Sequence, residues 1–540
     1  MAATKVALKF ALLSLLQRRN FLIRTSTPRF DGLRAGFWKR GEGEIFRRSS
    51  EMPDWKKRRT KGERKILRVL PIVLCAFVMA TLAACTVGPN YVRPSAEITP
   101  GYKELDGWKI AQPQDNTLRG PWWEIFNEPD LNALESQVAI SNQTVAAAEG
   151  AYREARALVQ EARAQYFPTV TLGIGVTNSS SSATVARNST KRTTSTQYTL
   201  PVDVSWEIDV WGRIRRQVES NSAGAQASAA DLETALLSAR TELAQDYFQL
   251  RALDAQKRLL DESVVDFQKS LDLTSNQYAA GIVSRADVLE AQTQLKSTQA
   301  QAIDVGVQRA QFEHAIAVLV GQPPAEITVS VMPLSAQPPP IPVGLPSQLL
   351  ERRPDIAAAE RRVAAANALI GVAESAYFPT VSLGSTGGFT STSFSKWISL
   401  PSRFWAVGPT VTQTVFDGGL RAAQTDQARA AYDSSVAVYR QSVLTGFQEV
   451  EDNVAALKIL ESEAQVQDEA VKAAQQTVTV FTNQYKAGIV NYLNVIVAQT
   501  AALNNERTAI TIMGNRFTAA VLLIKALGGG WDVSQLPVSP

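Results

Sequence analysis

Residues 198–213 read Tyr-Thr-Leu-Pro-Val-Asp-Val-Ser-Trp-Glu-Ile-Asp-Val-Trp-Gly-Arg. Tyr198, Leu200, Val202, Val204, Trp206, Ile208 and Val210 alternate with Thr199, Asp203, Ser205, Glu207 and Asp209. Period two over that length specifies a strand with one apolar and one polar face. Just upstream, Val170, Leu172, Ile174 and Val176 alternate with Thr171, Gly173 and Gly175. Strands are therefore expected at about 169–178 and 198–210, joined by a Ser/Thr-rich loop. Beyond Arg213 the pattern becomes helical, with no proline through residue 280. At 1.5 Å per residue such a helix reaches about 100 Å, whereas helices of globular domains average about 11–12 residues. A strand that feeds so long a helix does not belong to a compact domain.

The same unit is written twice. Tyr166-Phe167-Pro168-Thr169-Val170 returns as Tyr377-Phe378-Pro379-Thr380-Val381. Asn276-Gln277-Tyr278, followed by Ala280-Gly281-Ile282-Val283, returns as Asn483-Gln484-Tyr485 and Ala487-Gly488-Ile489-Val490. Ala291-Gln292-Thr293 returns as Ala498-Gln499-Thr500. Ordered matches at nearly one spacing mark a tandem duplication. Each copy carries an Ala-rich helical stretch (131–165 and 347–376), two strands, a very long helix, a turn and another helix. The second pair of strands, about 380–389 and 404–416, shows weaker alternation. Residues 321–346 contain eight prolines and separate the copies.

Alternation of this kind suits a barrel with lipid outside and water inside, where a strand crosses in about 9–11 residues. Four strands cannot close such a barrel, for which about eight is the bacterial minimum. An open edge in lipid would strand backbone polar groups. Several chains must contribute, and the residues do not choose between two and three.

The N-terminal part reads as an address. Residues 1–84 hold 19 of the 55 basic and 6 of the 51 acidic residues, which leaves 36 and 45 beyond. The sequence pI near 8.9 therefore belongs to the leader. The remainder is mildly acidic, which removes the electrostatic case for nucleic acid. Lys56, Lys57, Arg58 and Arg59 open a basic region, an apolar run spans 69–82, and Leu82-Ala83-Ala84-Cys85 closes it. A charged head, a short apolar stretch and small residues make a signal peptide. Leu-Ala-Ala-Cys is similar to a bacterial lipobox, so Cys85 is the expected lipidation site. Met52 is well placed as a start, which leaves 1–51 as an extension. Only Cys75 and Cys85 occur, so the part from Cys85 onward has no disulfide.

The chain resembles the outer-membrane factors of the TolC family, in their NodT-type lipoprotein branch. The resemblance rests on Cys85-Thr86-Val87-Gly88-Pro89-Asn90-Tyr91, on Trp122-Trp123 with Phe126, and on Asp209-Val210-Trp211-Gly212-Arg213. Glu351-Arg352-Arg353-Pro354-Asp355-Ile356 and Phe416-Asp417-Gly418-Gly419 complete it. It implies an α+β membrane protein: a homotrimer whose strands form a twelve-stranded outer-membrane barrel, continued by long helices as a periplasmic α-barrel. It further implies passive export of drugs or toxic compounds in a tripartite, RND-type system, with a periplasmic adaptor and an inner-membrane pump as partners. A type I protein-secretion duct and a non-conducting periplasmic coiled coil are the competing readings.

The expected division is an extension (1–51), a lipoprotein signal (52–84), a lipid-anchored segment (85–128), a first repeat (129–320), a Pro-rich connector (321–346), a second repeat (347–527) and a tail (528–540). The long helices are expected at 213–280 and 420–487, their partners at 285–320 and 493–527. The resemblance makes Gly281, Ile282, Val283, Gly488, Ile489 and Val490 the adaptor-docking tips, and Asp287, Tyr485 and Asn494 the periplasmic gate. Val490, Asn494 and Val497 replace charged residues that other members carry there, which points to a gate of packing and neutral hydrogen bonds. The single histidine, His314, has no cluster of ligands around it in sequence, and no phosphate-binding loop occurs. No enzyme activity and no cofactor is expected, and Gly528-Gly529-Gly530 reads as a terminal hinge.

Overall fold

The computed structural model describes residues 86–99, 101–103, 120–180, 182, 194–334, 337–341 and 349–537. The extension, the signal peptide and Cys85 lie outside the described residues.

One antiparallel sheet contains β1 (Thr169–Leu172), β2 (Gly175–Ser180), β3 (Thr194–Glu207), β4 (Thr380–Ser391) and β5 (Arg403–Thr412). β1 and β2 both pair with β3, which continues to β4 and then β5. The single strand expected at 169–178 is thus two, and the cause is Pro201. Leu172 faces Val202 and Gly175 faces Thr199; at the step between them Pro201 has no N–H to donate, and only its carbonyl is used, by Gly173 N at 2.9 Å. The strand expected at 198–210 runs instead from Thr194 to Glu207, and that expected at 404–416 stops at Thr412.

The register explains the alternation. Val170 pairs with Val204, Leu172 with Val202, Leu200 with Phe389, Trp206 with Leu383 and Val381 with Val411. Directly opposed residues share a face, so the apolar residues of both repeats form one continuous surface. It is open: Leu172, Trp405 and Val411 are 68%, 73% and 64% exposed. Thr171 with Asp203, and Glu207 with Ser382, occupy the opposite polar face.

Helix α1 (Pro129–Ser141) and α2 (Gln143–Ala164) precede the first strands; α3 (Arg213–Ala279) and α4 (Arg285–Leu319) follow them. In the second repeat come α5 (Leu349–Arg352), α6 (Pro354–Ser375), α7 (Leu420–Lys486) and α8 (Tyr492–Ala526). α3 and α7 have 67 residues each, about 100 Å of helix. Both start after a left-handed glycine, Gly212 (φ 84°) and Gly419 (φ 94°). An aspartate upstream supplies the missing cap. Asp209 accepts from Ile214 N and Arg215 N at 3.0 and 2.9 Å, and Asp417 from Gly419 N at 3.0 Å. A carboxylate there satisfies orphan amides and meets the positive end of the helix dipole.

The Ala-rich stretches expected as single helices are each broken, at Asn142 and at Arg353. The breaks are equivalent in the two repeats and face equivalent partners. Asn142 Nδ2 donates to Leu319 O at 2.7 Å, and Arg353 donates to Ala526 O at 3.3 Å. The glycines that end α4 and α8 press against the same joints. A Cβ on Gly321 would lie 2.1 Å from Ser141 O, and one on Gly528 2.1 Å from Arg352 O. Gly528-Gly529-Gly530 is therefore a packed joint, not a hinge: a Cβ on Gly529 would also strike Leu237 at 2.2 Å.

Around these joints lies the main core, with Trp122, Phe126, Leu131, Leu243, Tyr247, Phe248 and Phe517. Phe248 stacks on Phe517 at 4.5 Å. Within this region Glu135 is fully buried, and neither carboxylate oxygen has a hydrogen-bond partner among the described residues. The facing charge is Arg240, whose guanidinium sits 4.5 Å over the Trp123 ring. Burial holds the Glu135 carboxyl well above the usual range, against the pull of Arg240. The folded state thus binds a proton that the unfolded chain releases above about pH 4.5. Its contribution is complete below that pH and declines as pH rises toward the folded value. Glu135→Gln is expected to flatten this decline in a series of melting curves between pH 5 and 8; an unchanged slope would remove Glu135 as its source.

Candidate functional site: the paired helix tips

The two hairpins α3/α4 and α7/α8 turn through equivalent loops. Gly281 and Gly488 share φ 72°. Gly281 N donates to Tyr278 O and Ile282 N to Gln277 O, each at 2.9 Å. Gly488 N donates to Tyr485 O and Ile489 N to Gln484 O, again at 2.9 Å. These are glycine-capped helix ends, in which the left-handed residue lets two amides close on the last turn. Ile282 and Ile489 are each 71% exposed, the same state at equivalent positions of the two repeats. Val283 and Val490 turn inward against a small cluster formed by Ala291, Tyr485, Tyr492 and Val495. Of the three residues expected at each tip, the glycine shapes, the valine anchors and the isoleucine is presented.

That cluster ties the second hairpin to the first. Tyr485, on α7, is buried and donates its hydroxyl to Gln277 Oε1 on α3. Its ring lies 5.3 Å from that of Tyr492, also buried. Gln499 on α8 donates to Ser270 Oγ at 3.3 Å. Burial raises the Tyr485 hydroxyl above its ordinary range, with the Asp287 charge adding to it. Tyr492 is pushed up to about 12, chiefly by burial. Both phenols are therefore neutral donors at any physiological pH.

The three expected gate residues occupy distinct environments. Asp287 is the third residue of α4 and accepts from Ser284 N at 2.9 Å and Ser284 Oγ at 2.8 Å. With the return bond from Asp287 N this is a capping box. Asn494 holds the equivalent place in α8, where its Nδ2 donates to Asn491 Oδ1 at 2.7 Å. Tyr485 alone bridges the hairpins directly. Sequence reasoning missed Gln277 and Tyr492. Gln277 stands inside the repeated Asn-Gln-Tyr triplet, so its signal was present. Tyr492 had no counterpart in the first repeat to draw attention to it. Among the described residues no group of three or more His, Cys, Asp or Glu could hold a metal ion.

A lipid-compatible sheet face, 67-residue helix pairs and exposed paired tips are thus combined in one duplicated chain. Residues 134–322 and 345–529 match the Outer membrane efflux protein family. The chain belongs to this family. Its relatives include the outer membrane protein OprJ of Pseudomonas aeruginosa, 30% identical over 85% of this chain and 96% of its own length. The probable efflux pump outer membrane protein TtgC of Pseudomonas putida is 29% identical over 86% of this chain and 96% of its own. Other Pseudomonas putida relatives are named for antibiotic, toluene and solvent efflux. Among solved structures, the outer-membrane channel OprN superposes with a TM-score of 0.78 at 31% identity, over 83% of this chain and all of its own. The Campylobacter jejuni CmeC outer membrane channel gives the same score at 21% identity over 84% of this chain and 96% of its own, which speaks for the fold alone. The match extends over strands, long helices and joints together. The protein is an outer-membrane efflux protein with the α+β fold of the efflux channels.

Proposed function

We propose that this efflux protein is the exit duct of a tripartite, RND-type pump, a homotrimer anchored by lipid on Cys85, which passively conducts small organic compounds from a periplasmic adaptor and an inner-membrane pump. The observation that carries it is the sheet. β5 pairs only with β4, and β1 and β2 pair only with β3, so among the described residues both edges are unpaired beside a lipid-compatible face. Such edges are tolerated in a bilayer only when partner strands close them. Three chains give twelve strand positions, above the eight-strand minimum. The helices supply a matching seam: Ile459, Val466 and Val480 stand on α7 at multiples of seven residues and are 65%, 68% and 51% exposed. Sustained seven-residue spacing suits helix-to-helix packing between chains.

The exposed Ile282 and Ile489 are the docking points for the adaptor, and the Tyr485–Gln277 bond is the latch that keeps the mouth narrow. Asp287 and Asn494 shape the first turns of the helices beside it. Small organic substrates follow from the relatives' names. The latch is tested in planar bilayers. Tyr485→Phe removes one buried hydrogen bond worth about 1 kcal/mol, which corresponds to an increase of about five-fold in the open-to-closed ratio. Because the latch joins neutral groups, that ratio should hardly change between 0.1 and 1 M salt. Equal open times in wild type and variant would remove Tyr485 from the gate.

A further inference from the structure

The N-terminal segment is fastened at the point where strands become helices. Val87 N donates to Trp211 O at 3.0 Å, and a Cβ on Gly212 would come within 2.9 Å of the Thr86 methyl. The buried Arg216 donates to Gly88 O at 3.2 Å and to Asn90 Oδ1 at 2.8 Å. Gly88 (φ +92°) runs so close to α6 that a Cβ would lie 2.4 Å from Gly371 Cα. Thr86 therefore has little freedom. Successive Cα atoms are about 3.8 Å apart, so a group borne by the preceding residue starts within reach of Trp211.

Trp211 also lines an open recess of about 290 Å³. Its apolar wall comprises Val210, Trp211, Phe378, Val381 and Leu420. Phe378 stacks on Trp211 at 4.8 Å, while Trp211 Nε1 is committed to Pro379 O at 2.7 Å. Two ion pairs border the recess, Arg213 with Glu207 at 2.9 Å and Arg421 with Asp417. It lies at the end of the sheet, bordered by Val381 of the apolar face and by Glu207 and Thr380 of the polar one, where the strands give way to charged helix starts. An aromatic wall at that level, with polar groups at its rim, is what the boundary between acyl chains and water selects.

The geometry points to this recess as the seat of the lipid on Cys85, with the glyceryl group and first methylenes against Trp211, Phe378 and Leu420. The inference rests on the lipidation reading above and extends it. The anchor is then a fitted part of the protein, not a free tether, and it fixes the height of the sheet in the bilayer. Charge supports this occupant: each arginine at the rim is balanced by a carboxylate, which suits neutral ester groups better than a free anion.

The test compares the acylated wild type with an unacylated chain, made by a non-lipoprotein leader joined to Cys85→Ser. Intact mass first shows whether wild type carries the diacylglyceryl adduct; its absence would defeat the lipidation reading, and the recess inference with it. With the adduct present, the acylated form should melt higher in detergent and exchange amide protons more slowly over residues 376–381. Phe378→Gln and Leu420→Gln should each abolish most of that difference between acylated and unacylated forms. Leu420, 57% exposed in the first turn of α7, can change without disturbing the fold. Equal melting and exchange in the two forms, or a difference that survives both substitutions, would place the lipid outside the recess. Full restoration of protection in the unacylated chain by added phosphatidylethanolamine would assign the recess to bulk phospholipid and overturn the inference.

Discussion

Arg251→Ala is expected to lower the stability of the protein by about 3 kcal/mol, because it removes several hydrogen bonds from a buried charged group, each worth about 1.5–3 kcal/mol and not fully additive. Arg251 is 2% exposed and stands on α3 at the level of the main core. It donates to Asp130 Oδ2 at 2.9 Å and to Tyr247 Oη at 3.0 Å, and also to Ser330 O. Asp254 lies 3.5 Å away with its side chain 1% exposed. That carboxylate also receives Arg309 at 2.7 Å and Met332 N at 3.0 Å. Arg309 in turn donates to Val329 O at 2.8 Å. The network straps the Pro-rich connector across α3 and α4, so its loss should free residues 329–334 as well as destabilise the helices. Melting in detergent, with hydrogen exchange over the connector, measures both. Arg251→Lys should recover only part, because lysine cannot reach several acceptors in one plane. A loss below about 1 kcal/mol would show that Arg309 alone suffices.

Gly528→Ala should be strongly damaging, at about 3 kcal/mol or more. Its φ of +94° costs an alanine roughly 1–2 kcal/mol. The added Cβ would further lie 2.1 Å from the Arg352 carbonyl oxygen, a backbone atom with no freedom to step aside. Gly488→Ala supplies the contrast. There φ is +72° but nothing lies within 4 Å of the new carbon, so only the conformational cost of about 1 kcal/mol applies. Measured melting midpoints should therefore fall much further for Gly528→Ala than for Gly488→Ala. Equal falls would mean that the joint at Arg352 yields more readily than close backbone contact allows. The pair also separates two roles that look alike in sequence, since both glycines end a long helix.

What could be read from the sequence was whatever leaves a period. The alternation from Tyr198 to Val210 fixed which residues share a sheet face, and the observed register places them together across both repeats. The long helices were legible because nothing interrupts their pattern between Gly212 and the repeated Asn-Gln-Tyr triplet. The breaks at Asn142 and Arg353 were not. Each lies in an Ala-rich stretch whose local preference is helical, and the partner that satisfies the break, Leu319 O or Ala526 O, is far away in sequence. The split between β1 and β2 had a visible cause in Pro201, but the residue it affects sits on the neighbouring strand. At the tips, the glycines and their duplication were evident. The division of labour between an inward valine and an outward isoleucine depended on the Tyr485–Tyr492 cluster. That cluster arises only when two hairpins meet.

A conducting duct with its mouth held by Tyr485 and Gln277 has a direct electrical readout. Current through the purified protein in a planar bilayer tests it most directly. Discrete channel openings are expected for the wild type, mostly closed, with open times that lengthen in Tyr485→Phe and lengthen no further when Gln277→Ala is added, because the one bond they share is already gone. A folded, assembled protein that carries no current in any of the three forms would contradict it.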